Sequence, residues 1–156
     1  MSQPVDAKAY YGYLFHDDKK PTKVLDALLR GIASYICESI GDKDDKSLSP
    51  AKLAAFYKSV GGNYDSLFVD VPHPSISWIY ASIGCQHTLQ PTANDFEPPS
   101  IPVLTTRGFV RWQALEILLG PEEHVPFIQN AIRNFGIKHP DTGESFPVDL
   151  PTEHFL

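Results

Sequence analysis

Cysteine is nearly missing from this chain: Cys37 and Cys85 are the only two. Two cysteines build no disulfide framework, so the fold must rest on its apolar core, and a reducing compartment is the simplest setting. Long hydrophobic runs are missing too. The purely apolar stretches are a few residues long, such as Val24-Leu25, far short of the ~20 that cross a bilayer. No charged-then-apolar leader opens the sequence, which disfavours secretion; the expectation is an intracellular protein, in cytoplasm or nucleus. Bases are outnumbered, thirteen against nineteen acids, for a net charge of -6. They are also scattered, and the adjacent pair Lys19-Lys20 sits beside Asp17-Asp18. Phosphate backbones and anionic membranes attract a concentrated positive field, so neither nucleic acid nor membrane is an expected partner.

Catalytic and cofactor signatures are also lacking. Gly-x-Ser-x-Gly, Gly-x-x-x-x-Gly-Lys and the dinucleotide glycine fingerprint do not occur, so no nucleophile elbow or phosphate-cradling loop is written into the chain. The acidic stretch from Asp42 to Ser49 lies where a calcium loop between two helices would lie. Such a loop needs oxygen ligands at positions 1, 3 and 5, glycine at 6 and glutamate at 12. Counted from Asp42, Asp44 fits, but Lys46, Ser47 and Leu53 take the last three places. A degenerate EF-hand-like helix pair without calcium is what remains. Cys85, His87 and His73 supply three zinc-ligand types, but their spacing matches no common zinc module and there is no Cys-x-x-Cys. The doublets Asp17-Asp18, Asp44-Asp45 and Glu122-Glu123 fall in loops or first helical turns, where solvation and the helix dipole explain them. The expectation is no metal, no cofactor and no assembled catalytic group.

What the chain has in excess is proline. Fourteen of its 156 residues are proline, nine of them after residue 90, nearly double the usual ~5%. Proline ends helices and avoids central strands, so the second half should hold short helices between stiff connectors. Apolar residues at helical spacing predict five helices, near 23–40, 50–60, 75–83, 106–119 and 122–135. Thr22, Ser49-Pro50, Pro74-Ser75 and Thr105 supply start signals, and Gly41, Gly61, Gly84, Gly120 and Gly136 supply stops. Gly31 inside the first helix suggests a close helix crossing. The helix at 106–119 is apolar on nearly every side, which predicts a central position. Leu67 to Val71 has extended character but no hairpin partner nearby, and residues 88–103 read as a long surface crossover, partly polyproline-like. The fold class is therefore all-α: a compact bundle of about five helices, in one domain from residue 10 to 156, behind a flexible lead-in at 1–9. Its core should contain Leu25, Leu28, Leu29, Ile32, Ile36, Phe56, Ile79, Phe109, Trp112, Leu115, Ile128 and Ile132. A short helix near Thr152 would close the chain.

The order of several short motifs resembles a domain family from filamentous fungi. They are Tyr13-Leu14-Phe15, Lys20-Pro21-Thr22, Leu29-Arg30-Gly31-Ile32-Ala33, Cys85-Gln86-His87, Ile101-Pro102-Val103-Leu104-Thr105, Gly108-Phe109 with Trp112, and Phe146-Pro147 with Leu150-Pro151. The resemblance runs from about Tyr10 to Leu156. It implies a domain of uncharacterised function, usually at the N-terminus of longer proteins, and transfers no catalytic residue. This chain ends where the domain ends, as a short member or as part of a longer one.

The leading functional expectation is a non-catalytic interaction module, a scaffold or adaptor whose partner is another protein. Its contact surface is expected on Phe96, Pro98, Pro99 and Ile101, since a preformed connector loses little entropy on binding. Tyr10, Tyr11 and Tyr13 are a second choice, because tyrosine is enriched at interfaces; packing of these residues onto the core is the plainer alternative for both segments. Two other readings stand beside it. One is a small-molecule binder or enzyme with an inter-helix pocket near Trp78, Tyr80, His87 and Trp112; the other is a self-associating structural unit.

Overall fold

The structure is a computed structural model that describes residues 6–151. The first five residues of the lead-in and the helix expected near Thr152 lie outside the described residues. Seven helices and two strands follow in order: α1 (Ala7–Tyr11), α2 (Lys23–Ser39), α3 (Pro50–Ser59), α4 (Asp65–Phe68), α5 (His73–Ser82), β1 (His87–Gln90), β2 (Ile101–Leu104), α6 (Thr106–Leu119) and α7 (Pro121–Phe135).

The starts follow from local chemistry. Ser49 Oγ accepts the Lys52 N–H at 3.3 Å and Thr105 Oγ1 accepts the Gly108 N–H at 3.0 Å, each satisfying a donor of the first turn. Thr22 precedes α2 without capping it by side chain; its hydroxyl donates back to the Leu14 carbonyl at 3.1 Å. Pro121 opens α7, and Glu122 and Glu123 sit in its first turn, where the dipole favours negative charge. Gly136, at φ 62, closes it.

The chain is helix-rich but not purely all-α. Residues 87–90 and 101–104 pair antiparallel, with Gln90 opposite Ile101 and His87 opposite Leu104. The expected surface crossover is thus a hairpin. Its strands were hidden because Pro102 reads as a breaker. Pro102 stands opposite Leu89 in a two-stranded sheet, and such a sheet tolerates a missing ladder donor. The apolar stretch at Leu67 is also different: it enters the short helix α4 instead of extending.

The core gathers Leu25, Leu28, Leu29, Ile32 and Ile36 of α2, Phe56 and Tyr57 of α3, Phe109, Trp112 and Ile117 of α6, and Ile128 and Ile132 of α7. Two expected members are only half-buried. On α5 the inward face is carried by Ile76 and Tyr80, one turn apart, which leaves Ile79 at its margin. On α6 Ile117 is buried and Leu115 half-buried, while Arg107, Arg111 and Leu119 are exposed, so this helix keeps one open side.

Gly31 serves a close approach, but not of a helix. A Cβ there would lie 2.7 Å from the Lys138 carbonyl oxygen, in the segment after α7. Gly108 is tighter still, since a Cβ there would meet the Gln86 carbonyl oxygen at 1.9 Å. The first turn of α6 therefore presses on the backbone leading into β1, and the Thr105 N–H donates to that same Gln86 oxygen at 3.1 Å. This contact sets where the hairpin leaves the helical body.

Candidate functional site

The hairpin loop, residues 91–100, carries the first-choice contact residues. Its conformation is built locally. Asn94 Oδ1 accepts the Phe96 N–H at 3.0 Å, and the Glu97 N–H donates to the Asn94 carbonyl at 3.1 Å. Thr92 Oγ1 accepts the Asn94 N–H at 3.2 Å and donates to the Glu97 carboxylate at 3.1 Å. The Ser100 N–H closes the loop onto the Gln90 carbonyl at 3.0 Å. On this frame Phe96 is 98% exposed. Pro98 and Pro99 are exposed beside it, and Ile101 is half-buried at the start of β2. Leu104, buried in the core and donating its N–H to the Leu48 carbonyl at 3.2 Å, fastens the hairpin to the body; Phe96 does not.

The tyrosine cluster divides. Tyr11 is 3% exposed, and its hydroxyl donates to the Pro147 carbonyl at 2.5 Å. It ties α1 to the closing segment and leaves the set of contact candidates. Tyr10 is half-buried, edge-on to Tyr11 at 5.0 Å and to Phe146 at 6.2 Å between ring centres. Tyr13 is exposed.

Of the residues expected to line an inter-helix pocket, Tyr80, His87 and Trp112 come together, with the Tyr80 and His87 ring centres 5.3 Å apart, and Trp78 stands apart. Trp78 faces outward, 71% exposed. Tyr80 and Trp112 are buried with ring centres 5.5 Å apart, filling the space between their helices. Both ring nitrogens of His87 are engaged, Nε2 with Ser77 Oγ at 2.7 Å and Nδ1 with the Cys85 carbonyl at 3.1 Å. Cys85 is buried, which pushes its thiol up to about 11 and leaves it protonated at neutral pH. Burial likewise raises Cys37. Among the described residues, no group of three or more His, Cys, Asp or Glu side chains is placed to hold a metal ion.

Three features escaped the sequence. The first is Lys52, buried in α3 at 1% exposure. Its ammonium donates to the Cys37 carbonyl at 2.7 Å and to the Asp45 carbonyl. Lys46, the lysine expected to spoil the calcium loop, turns instead to Glu38 at 3.2 Å. An internal cation thus bridges the end of α2 and the acidic loop.

The second is a polar knot where α6 turns into α7. His124 is buried, with Nε2 2.7 Å from Glu116 Oε2 and 3.2 Å from the Tyr64 hydroxyl. Tyr64 donates to Glu123 at 2.6 Å. Desolvation, then the Glu123 contacts, push the Tyr64 phenol far up, so it stays neutral. Deeper in, the Tyr57 hydroxyl accepts from Trp112 Nε1 and Gln113 Nε2, both at 3.0 Å. The His124 ring is held edge-on between Tyr64 and Phe127. These bonds join α3, the residue before α4, α6 and α7, and they satisfy the buried polar groups there except His124 Nδ1, which has no partner among the described residues.

The third is an open cleft of about 610 Å³ between the first two turns of α2 and of α6. Its walls include Lys23 and Arg30 of α2 and Arg107 and Arg111 of α6. No spacing rule joins bases some eighty residues apart, so sequence alone had no signal for it.

A family model described as "Domain of unknown function (DUF7514)" matches residues 12–156. No curated protein and no solved structure matches the chain.

Proposed function

The chain belongs to this family of domains of unknown function (DUF7514), and from that premise we propose that it is a non-catalytic protein-recognition module. It engages a partner protein through the hairpin loop, with Phe96 as the anchor. One observation carries the reading: a phenylalanine 98% exposed on a loop ordered by its own hydrogen bonds. Burying a phenylalanine side chain is worth about 1.5–3 kcal/mol, which a solvent-held ring forgoes. A rigid aromatic in a fixed frame is the usual form of an interface anchor, and Pro98 and Pro99 reduce what must be ordered on binding. The partner is a protein with an apolar pocket that admits the ring. No described helix is long and apolar enough to cross a membrane.

A filamentous-fungal source and a place at the N-terminus of longer proteins belong to the same proposal and rest on motif order. An intracellular setting rests on the two free cysteines, Cys37 and Cys85.

Affinity capture from a lysate of the source cells tests the reading, comparing wild type with Phe96→Ala and Pro99→Ala. Both positions are exposed, so both variants stay folded. Loss of the same partner with each variant is expected; undiminished recovery with both removes the loop as the contact surface.

A further inference from the structure

We propose that the cleft between α2 and α6 is a binding site for a small phosphorylated organic molecule. Five of the thirteen lysines and arginines line it: Lys20, Lys23, Arg30, Arg107 and Arg111. Of the nineteen acids only Asp26 and Asp141 do so. A molecule of net charge -6 therefore carries a local patch of opposite sign.

The charges are not spent on one another. Arg30 is neutralised, its Nε 2.8 Å from Asp26 and an amino nitrogen 3.1 Å from Asp141. Lys20 leans on Asp18 at 3.8 Å, an exposed pair of little strength. Lys23, Arg107 and Arg111 have no carboxylate partner among the described residues. Arg111 uses its Nε on the Ile83 carbonyl at 3.0 Å, which steadies the guanidinium and leaves its charge unmatched. His139 also lines the cleft. Its Nδ1 accepts the Asp141 and Thr142 N–H groups at 3.1 and 3.3 Å, which fixes the ring.

Chemistry and shape narrow the ligand. Arg107 and Arg111 lie one helical turn apart on one face of α6, and guanidinium forks match phosphate oxygens two at a time. Three unmatched cations suit a dianion better than a single carboxylate. Pro21 gives the cleft an apolar wall above a floor closed by the buried Ala27 and Val110, and its volume lies within the ~300–1,000 Å³ of small-molecule sites. A long polyanion such as RNA would run past the cleft onto a surface of its own sign.

Titration with inorganic pyrophosphate at low ionic strength, followed by amide NMR shifts, tests the site. Saturable shifts confined to residues around Lys23, Ala27, Arg107 and Arg111 are expected. Losing one charge-assisted contact should weaken binding about tenfold in Lys23→Ala and in Arg107→Ala. Lys46→Ala, on another face beside Glu38, should bind as wild type. Phe96→Ala should also bind as wild type, which separates this site from the recognition loop. Circular dichroism checks that each exposed-site variant is folded. No shift in the cleft, unaltered affinity in both cleft variants, or displacement of pyrophosphate by tighter-binding oligouridylate would each overturn the proposal.

Discussion

The Lys52 ammonium donates to the Cys37 carbonyl at 2.7 Å from inside the protein. A buried charge is tolerated only when paired and hydrogen-bonded. Here the partners are two backbone carbonyls, Cys37 and Asp45, with the Asp45 carboxylate nearby. The loop that resembles a calcium site is thus closed by a cation from the chain itself.

Lys52→Met keeps most of the volume but leaves both carbonyls without their donor. Stripping partners from buried polar groups costs about 1–3 kcal/mol. The urea midpoint should fall accordingly, and an unchanged midpoint would show that Lys52 contributes nothing to closing the loop.

Gly108→Ala should be far worse than an ordinary glycine-to-alanine change in a helix, which stabilises by up to about 1 kcal/mol. The new Cβ would collide with the Gln86 carbonyl oxygen, 1.9 Å away. Backbone cannot swing aside as a flexible side chain can, so α6 and the hairpin must separate. A thermal melt showing stability equal to wild type would contradict this contact.

Tyr57→Phe removes one oxygen and strands two donors, Trp112 Nε1 and Gln113 Nε2, at the centre of the molecule. A loss of about 1–3 kcal/mol is expected. Trp112→Ala should lose more, about 3–5 kcal/mol, since its buried ring also meets Phe68 and Tyr80. Equal midpoints for Trp112→Ala and wild type would put the inward face of α6 in error.

Much of this core was legible in the sequence. The 3.6-residue spacing of Leu25, Leu28, Leu29, Ile32 and Ile36 has one helical solution, and the caps at Ser49 and Thr105 mark their helices where the structure has them. The hairpin was not legible, because four-residue strands carry little periodicity and Pro102 argued against one of them. The cleft and the His124 knot were not legible either. Both join residues whose nearness is a product of packing: Lys23 with Arg107, and Tyr64 with His124. Phe96 was legible as a residue type, but its exposure was not, since an aromatic in a proline-rich connector is as often a pin as an anchor.

Acid should loosen the Asp45 loop. Burial raises the Asp45 carboxyl, but Ser47, Ser49 and Lys52 outweigh it and hold the group below its ordinary range. The unfolded chain, with a carboxyl near ~3.9, then takes up its proton before the folded one does. The stabilisation is present above that value and is lost as pH falls through the folded one. Asp45→Asn should be less stable than wild type at pH 7, with the two urea midpoints converging as pH falls below the ordinary carboxylate range. A constant gap across that range would exclude Asp45 as the source.

The recognition-module account is tested most directly by placing a photoreactive p-benzoylphenylalanine at residue 96 and, in a second protein, at Leu119. Both side chains are exposed, 98% and 85%, so both probes meet the same lysate. The account predicts one discrete covalent adduct with another protein from position 96 and none from 119. A ladder of adducts shared by both positions, or an adduct from 96 that contains only a second copy of this chain, would contradict it.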